Sequence, residues 1–329
     1  MSVSPEVTPD VSILVPVYNA ETYLEQCLDG LCGQTLKNIE IICINDGSTD
    51  TSLSILQKYS VRDTRIKVIN KPNSGYGASM NQGLDVCSGL YVGIVESDDF
   101  PSLDMFERLF KAAEKNDCDL VKSNYYEHYN GKDQKIKNLK SYPYGRVFDP
   151  AEGPQIICTI PSIWTGLYKR EMLKHNQIRF RETPGAAFQD TSFVLKAWFA
   201  SRRCVLVRKA LLHYRIDNPN SSVKTSDRAF IVCDELAESE RFLRALPDRA
   251  KAFLPFFHVD KVGKYRWNYE RIADSQKLAF VQRMRDELLE AQKQGELDRE
   301  LFEEATWEAV DYLLLGGAES FIEKFPERF

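Results

Sequence analysis

The 329-residue sequence lacks the features that mark several common classes of protein. It contains no apolar run near the about 20 residues that a membrane-spanning helix needs, and its N-terminus shows no apolar signal segment. Its net charge of -5 and its pI of 5.6 argue against a protein that coats nucleic acid. We therefore expect an intracellular, cytoplasmic protein without a nucleic-acid partner.

Disulfide and zinc patterns are missing as well. The eight cysteines form no C-x-x-C pair, and several of them, such as Cys43 and Cys204, lie inside apolar runs. This usage is typical of buried thiols in a reducing compartment. The four histidines show no H-x-x-x-H spacing, so the sequence predicts no zinc site.

Two glycine-rich nucleotide-binding motifs are also absent. A dinucleotide-binding fold needs G-x-G-x-x-G after its first strand, where this chain has PVYNAE, and the segment SGYGASM at 74–80 lacks the third glycine. The chain has no G-x-x-x-x-G-K-[ST] loop either. A Rossmann dehydrogenase and a P-loop NTPase are therefore both disfavoured.

Alternating strand and helix patterns fill the first hundred residues. Apolar runs at 11–17, 39–45, 65–70 and 90–96 read as strands, and the segments between them have helical spacing. This alternation predicts an α/β fold with a mostly parallel sheet flanked by helices. From residue 226 amphipathic helical segments dominate, so we predict a domain at 1–225 and a helical region at 226–329.

Polar segments follow three of the predicted strands, at 16–19, 45–48 and 96–99. Because parallel strands end at the same edge of a sheet, these segments are expected to surround one ligand. Glu96, Asp98 and Asp99 would repel one another unless a hard cation such as Mg²⁺ or Mn²⁺ lay between them, which implies a phosphorylated substrate. The alternative is that Ser97, Asp98 or Asp99 only caps the helix that follows.

These segments, in this order and spacing, resemble the family 2 glycosyltransferases, which have the GT-A fold. The resemblance rests on PVYN, NDGSTD and the acidic cluster within residues 11–100, and it continues more loosely to residue 222. It implies inverting transfer of a sugar from a UDP-sugar donor with Mn²⁺ or Mg²⁺. It also implies a glycan or lipid-linked acceptor and a place in bacterial cell-surface polysaccharide synthesis.

The resemblance assigns residues to the donor. Tyr18 would stack on the base, Asp46 would pair with the uracil edge, and Asp98 and Asp99 would hold the metal. Glu96 stands where the family has aspartate, and Met80 replaces an arginine that would contact the phosphates. The implied donor-binding residues are Pro16, Tyr18, Asn19, Asp46, Ser48, Asn81 and Asp98.

The remaining roles concern the acceptor and the diphosphate. Asp190 matches the family's catalytic base, and its place at a helix start would favour the ionised form, although an N-cap is the alternative. Gln189 replaces the family's glutamate and is assigned with Trp164 to the acceptor; Trp164 is otherwise a core residue. His213 and Arg215 are assigned to the diphosphate, against a packing role at the end of a strand.

Two other functions stay open from the sequence. A sugar-phosphate nucleotidyltransferase would also use acidic metal ligands, but it needs a glycine-rich basic loop after the first strand. Because Glu96 and Gln189 differ from the family's residues, a non-catalytic nucleotide-sugar-binding protein is the second alternative. The basic and aromatic segment at 261–272 predicts either a solvated amphipathic helix or a peripheral contact with the inner face of a membrane.

Overall fold

A computed structural model describes residues 8–219 and 229–329, and these fall into two compact units. The first unit holds the described residues of Met1–Pro150 and Ile160–Ser221. The second holds Ala151–Thr159 and the described residues of Ser222–Phe329. The short segment 151–159 thus belongs with the C-terminal helices, which its position in the chain alone does not indicate.

The first unit is an α/β structure. Its strands are β1 Val11–Val17, β2 Ile39–Asp46, β3 Ile66–Lys71, β4 Tyr91–Ile94, β5 Phe100–Pro101, β6 Leu120–Tyr129, β7 Lys132–Ile136, β8 Gly166–Lys169 and β9 Cys204–Arg215. Its helices are α1 Leu24–Cys32, α2 Ser52–Arg62, α3 Tyr76–Val86, α4 Met105–Asn116, α5 Arg170–His175 and α6 Gln189–Ala200.

All the strands of this unit belong to one mixed sheet. The strand order is β3-β2-β1-β4-β8-β6-β9-β5, and β7 pairs with β6 at the side of this path. The four strands from β3 to β4 are parallel, β6 is parallel to β9, and β8 runs antiparallel between the two groups. The predicted α/β fold with a mostly parallel sheet and flanking helices is confirmed.

Local sequence explains these elements. β1 and β2 are buried along their whole length, as expected for apolar strands covered by helices on both faces. The predicted loop or hairpin at 130–150 begins with a β6–β7 hairpin. Asn130 and Gly131 form its turn with positive φ angles of 48° and 73°, which this pair of residues tolerates better than most.

The cysteines of both units are free, as the sequence predicts. Six of the eight are buried, among them Cys43 in β2 and Cys204 in β9, while Cys158 is exposed. They therefore serve mainly as small apolar side chains.

The second unit is helical and has its own buried ionic network. Its helices are α7 Ile231–Arg244, α8 Pro247–Tyr269, α9 Asp274–Lys293 and α10 Glu304–Lys324. Lys261 in α8 is 1% exposed, and its Nζ donates to Glu240 at 2.6 Å and to Glu287 at 3.1 Å. Tyr265 and Tyr269 are fully buried. Part of the basic and aromatic segment at 261–272 thus forms the interior of this unit, and its membrane contact stays a prediction.

Within the described residues, the helices are all too short or too polar to cross a bilayer.

Candidate active site

The polar segments that follow β1 and β2 meet at one edge of the sheet. Val17 lies opposite Asn45 in the parallel register, so the two segments leave the sheet side by side. The backbone N–H of Asn19 donates to Ser48 Oγ at 3.0 Å, and Thr49 N donates to Asn19 Oδ1 at 2.8 Å. Ser48 and Asn19 therefore brace two loops of the predicted donor site.

Tyr18 and Pro16 differ in their access to a ligand. The Tyr18 side chain is 54% exposed at the edge, so its ring is open to stacking. Pro16 is buried within β1, beyond Leu14, where the pairing with β4 ends. A proline fits there because it has no N–H to contribute to a continuing ladder.

The Asp46 carboxylate, at the end of β2, is 5% exposed and already has several donors. It accepts from Ser74 N at 2.9 Å, from Gly75 N at 3.0 Å and from Lys71 Nζ. A carboxylate has about four acceptor positions, so one position remains for a ligand donor. Asp46 thus shapes the loop between β3 and α3 whether or not it pairs with a base.

An acidic turn, defined here as Glu96–Asp99, follows β4. Asp98 is half-buried, and its Oδ2 accepts from Asn218 Nδ2 at 2.8 Å. Asp99 is 1% exposed, its Oδ1 accepts from the backbone N–H of Arg215, and its Oδ2 is buried without a hydrogen-bond partner in the described structure. Burial raises the pKa of Asp99 well above its usual range. Asp98 is therefore the more accessible carboxylate of the pair.

Arg215 fixes the acidic turn instead of projecting into solvent. It is 8% exposed, its Nε donates to the Asp98 carbonyl at 2.9 Å and its Nη2 donates to Gln26 Oε1 at 2.6 Å. Its guanidinium also lies 4.5 Å from the ring centroid of Tyr23. If Arg215 contacts a diphosphate, it has to do so while its guanidinium also donates to the acidic turn.

Glu96, the departure from the family's aspartate, has a defined partner. Tyr76 donates from its hydroxyl to Glu96 Oε1 at 2.8 Å. Burial raises the pKa of Glu96 to about 8, the Tyr76 hydrogen bond opposes this rise, and the charges of Asp98 and Asp190 add to it. Carboxylates from the acidic turn and from α6 therefore lie close enough to repel one another.

Asp190 is the second residue of α6, as predicted for the start of a helix. The preceding loop is fixed by Gln189, which is 2% exposed; its Oε1 accepts from Ala187 N at 2.6 Å and its Nε2 donates to Thr183 Oγ1 at 2.8 Å. An acceptor that contacted Gln189 would have to share its Oε1 and Nε2 atoms with these hydrogen bonds. Its position instead indicates a role in orienting the loop that leads to Asp190.

Trp164 belongs to an aromatic cluster. It is 7% exposed, stacks on Tyr214 at 4.9 Å between centroids and meets the edge of Tyr125 at 4.8 Å. It lies in a short 3₁₀ turn, Ile163–Thr165. Only a small part of the ring is open to an acceptor, so packing accounts for most of its surface.

Two other predicted residues are engaged inside the protein. Asn81 in α3 donates from Nδ2 to the Phe180 carbonyl at 3.0 Å and accepts from Phe180 N at 3.0 Å. His213 stacks between Phe100 and Tyr126, and its Nδ1 lies 2.9 Å from Asp133 Oδ2. The structure thus gives both side chains partners within the chain and not at the acidic turn.

Sequence reasoning missed Lys122, which is buried in β6 at 2% exposure. Its Nζ donates to the Pro161 carbonyl at 3.0 Å and to the Ser162 carbonyl, just before the turn that carries Trp164. Burial lowers the pKa of Lys122 to about 7, and the charge of Asp190 partly offsets this effect. Tyr76 and Asn218 were also missed; only the glycines that flank Tyr76 hint at a special backbone.

The acidic turn fits a divalent cation. Asp98 offers an accessible carboxylate, and Asp99 Oδ2 is a buried oxygen without a hydrogen-bond partner among the described residues. Oxygen donors of this kind suit Mg²⁺ or Mn²⁺, and a cation there would offset the repulsion with Glu96.

The family model described as "Glycosyl transferase family 2" matches residues 12–177, which is half of the chain. The chain is a family 2 glycosyltransferase. Sequence relatives agree: the "Uncharacterized glycosyltransferase EpsJ" of Bacillus subtilis is 36% identical over 219 residues, which cover 65% of this chain and 62% of that protein. The present chain therefore matches less than two thirds of the length of this relative.

Solved structures show the GT-A fold. The Staphylococcus aureus TarS 1–349 complex with UDP-GlcNAc matches with a TM-score of 0.61 and 21% identity, over 87% of this chain and 92% of that one. The mannosyltransferase PcManGT from Pyrobaculum calidifontis, in complex with GDP-Man and Mn²⁺, matches with a TM-score of 0.55 and 16% identity, over 98% and 90%. At these identities the likeness concerns the fold.

Proposed function

We propose that this glycosyltransferase moves a sugar from a UDP-sugar to a hydroxyl of a glycan or lipid-linked acceptor, with inversion, in bacterial cell-surface polysaccharide synthesis. The observation that carries the proposal is the placement of Asp190 at the start of α6, close enough to Glu96 to raise its pKa. The proximity of Asp190, the proposed general base, to the acidic turn, the proposed cation site, supports this function.

The donor side is supported by the loops after β1 and β2. Tyr18 offers an exposed ring for a base, and Asp46 has one acceptor position left for a ring N–H. TarS is described in complex with UDP-GlcNAc and PcManGT with GDP-Man. We favour uracil because one free acceptor position matches its ring N–H, whereas guanine presents an amino group beside its ring N–H.

The reaction is a single displacement. Asp190 accepts the proton of the acceptor hydroxyl while that oxygen forms a bond to the anomeric carbon. The bond from this carbon to the diphosphate oxygen breaks, and its electron pair leaves with UDP. Attack opposite the leaving group inverts the anomeric centre.

Charge on the departing diphosphate has to be neutralised near the acidic turn. Asp98, with Asp99 behind it, would hold the Mg²⁺ or Mn²⁺, which when bound supplies positive charge to the phosphate oxygens. Arg215 keeps the turn in position through the Asp98 carbonyl and the Asp99 carboxylate. Glu96, held by Tyr76, would add a third acid near such a cation.

Calorimetric titration of UDP tests the proposal, with and without Mn²⁺, on the wild type and on Asp98→Ala. We expect binding that requires Mn²⁺ in the wild type and is lost in the variant. Glu114→Ala, which removes an exposed acid on α4, is the matched control and should bind like the wild type. GDP titrated in the same way tests the choice of base.

Turnover distinguishes catalysis from binding alone. A donor panel with NMR of the product should show the anomeric configuration opposite to that of the donor. Metal-dependent UDP binding without turnover of any donor would favour the non-catalytic nucleotide-sugar-binding protein. Absence of UDP and GDP binding in both metal conditions would contradict the donor site itself.

A further inference from the structure

A cluster of two histidines and one aspartate lies in the sheet of the first unit. His128 in β6 is the direct cross-strand partner of Asp133 in β7, on either side of the Asn130–Gly131 turn. His213 comes from β9, on the other side of β6. One donor atom from each of the three side chains lies within 4.8 Å of the other two. Three neighbouring strands therefore bring these side chains together, although His213 lies 80 positions after Asp133 in the sequence.

The cluster is held rigidly by its surroundings. His213 stacks on Phe100 at 4.4 Å and on Tyr126 at 4.8 Å, and His128 meets the edge of Phe100 at 5.1 Å. The two-residue turn fixes the register of the β6–β7 hairpin. Sites built on strands with packed side chains keep their geometry better than sites on loops.

Both imidazoles point a nitrogen at the same carboxylate. His128 Nδ1 lies 2.8 Å from Asp133 Oδ1, and His213 Nδ1 lies 2.9 Å from Asp133 Oδ2. The second contact lacks the geometry of a hydrogen bond, so His213 Nδ1 is a buried nitrogen without a hydrogen-bond partner in the described structure. Its Nε2 lies 3.3 Å from Ser102 Oγ. Donation from Nε2 to Ser102 would leave the lone pair of Nδ1 facing the cluster.

The cluster is open to solvent on one side. The Asp133 side chain is 37% exposed, whereas those of His128 and His213 are 12% and 15% exposed. An ion can therefore reach the cluster from the side of Asp133, while the histidines stay shielded.

Two imidazoles and one carboxylate are the donors that Zn²⁺ and similar divalent transition metals prefer, whereas Mg²⁺ prefers oxygen alone. With bonds of about 2.0–2.1 Å, tetrahedral ligands lie roughly 3.3 Å apart. The present separations of 2.8 and 2.9 Å would have to open by only about half an ångström. The contact between His213 Nε2 and Ser102 Oγ is of the kind that orients a metal-binding histidine.

We propose that His128, Asp133 and His213 bind one Zn²⁺ ion, with water in the fourth position. The ion fastens the β6–β7 hairpin to β9 two residues before Arg215, the residue that holds the acidic turn. The site differs from the proposed donor site in its ligands and metal. It also revises the expectation from histidine spacing, because the ligands come from three strands and not from one helix.

The wild-type chain is titrated with Zn²⁺ by calorimetry and with Co²⁺ by visible absorption. We expect one ion that gives the absorption of four-coordinate Co²⁺ with nitrogen and oxygen ligands. His128→Gln and Asp133→Asn should each weaken Zn²⁺ binding by at least about tenfold, and Ser102→Ala by about tenfold. Zn²⁺ should raise the melting temperature of the wild type and not that of Asp133→Asn.

Three control variants separate this site from other sources of affinity. His175→Gln removes an exposed histidine of α5, Cys158→Ser removes the exposed thiol, and Asp98→Ala removes the proposed donor-site ligand. All three should bind Zn²⁺ like the wild type. Equal affinity in the wild type, His128→Gln and Asp133→Asn would overturn the proposal, as would a thiolate absorption band that Cys158→Ser abolishes. Asp133→Asn preserves shape, so it tests the site even if His128→Gln fails to fold.

Discussion

The backbone N–H of Arg215 donates a 2.8 Å hydrogen bond to Oδ1 of Asp99, across 116 positions of the sequence. The same residue donates from Nε to the Asp98 carbonyl. The end of β9 therefore holds the turn that follows β4, although other strands lie between them in the sheet. The predicted metal ligands owe their positions to this long-range contact.

Arg215→Lys should loosen the acidic turn. A lysine cannot donate to Gln26 and to the Asp98 carbonyl from one planar group. We expect UDP affinity to fall by about tenfold or more and the free energy of unfolding to fall by about 1–3 kcal/mol. Calorimetry and urea denaturation measure the two effects. Arg208→Lys, at an exposed position of the same strand, is the control, and equal losses in both variants would contradict the assignment.

Asp190→Asn should abolish most of the turnover while leaving the donor bound. An amide cannot accept the acceptor's proton, and the loss of a general base costs about 10²–10⁴-fold in rate. Initial rates of UDP release and UDP calorimetry on the same preparation check both parts. Asp274→Asn, at the exposed start of α9, should keep the wild-type rate. An unchanged rate in Asp190→Asn would exclude it as the base.

Lys122 should give the wild type a pH-dependent stability. Its pKa is about 7 in the folded chain against an ordinary value of 10.5, so between these values the unfolded chain binds a proton that the folded chain does not. The contribution of Lys122 to the free energy of unfolding therefore rises between about pH 7 and pH 10.5. The rise is at most about 1.4 kcal/mol per pH unit.

Lys122→Met removes this rise. Urea denaturation at pH 7.5 and 9.5 should show the wild type gaining about 1–3 kcal/mol over the variant between the two pH values. Lys111→Met, at an exposed position of α4, should follow the wild type. If the difference in free energy of unfolding between the wild type and Lys122→Met did not change with pH, Lys122 would keep its proton throughout this range.

Gly77→Ala should destabilise the first unit. A Cβ at this position would lie 1.9 Å from the Arg181 carbonyl oxygen, so α3 or the segment before α6 has to move. We expect a loss of about 1–3 kcal/mol or more in urea denaturation. Gly263→Ala, where α8 has open space, should instead stabilise by about 0.5–1 kcal/mol. The same sign for both substitutions would contradict the close approach.

Much of the fold follows from local sequence. The buried runs of β1 and β2 and the helical spacing between them predict a parallel arrangement, because each element has to bury one face against the next. The convergence of the loops after β1 and β2 follows from the same rule. Asp190 at the start of α6 also agrees with its local pattern.

The sequence by itself thus determined the mostly parallel α/β fold, the family and the acidic character of the edge, since these depend on residue type and short-range periodicity. Only the tertiary structure decided which groups are accessible and which are already paired. It buried Asp99, placed Lys122 near Asp190 and brought His213 to Asp133. These contacts join segments far apart in the chain. Packing and hydrogen bonding between those segments fix them, and no local sequence pattern encodes such interactions.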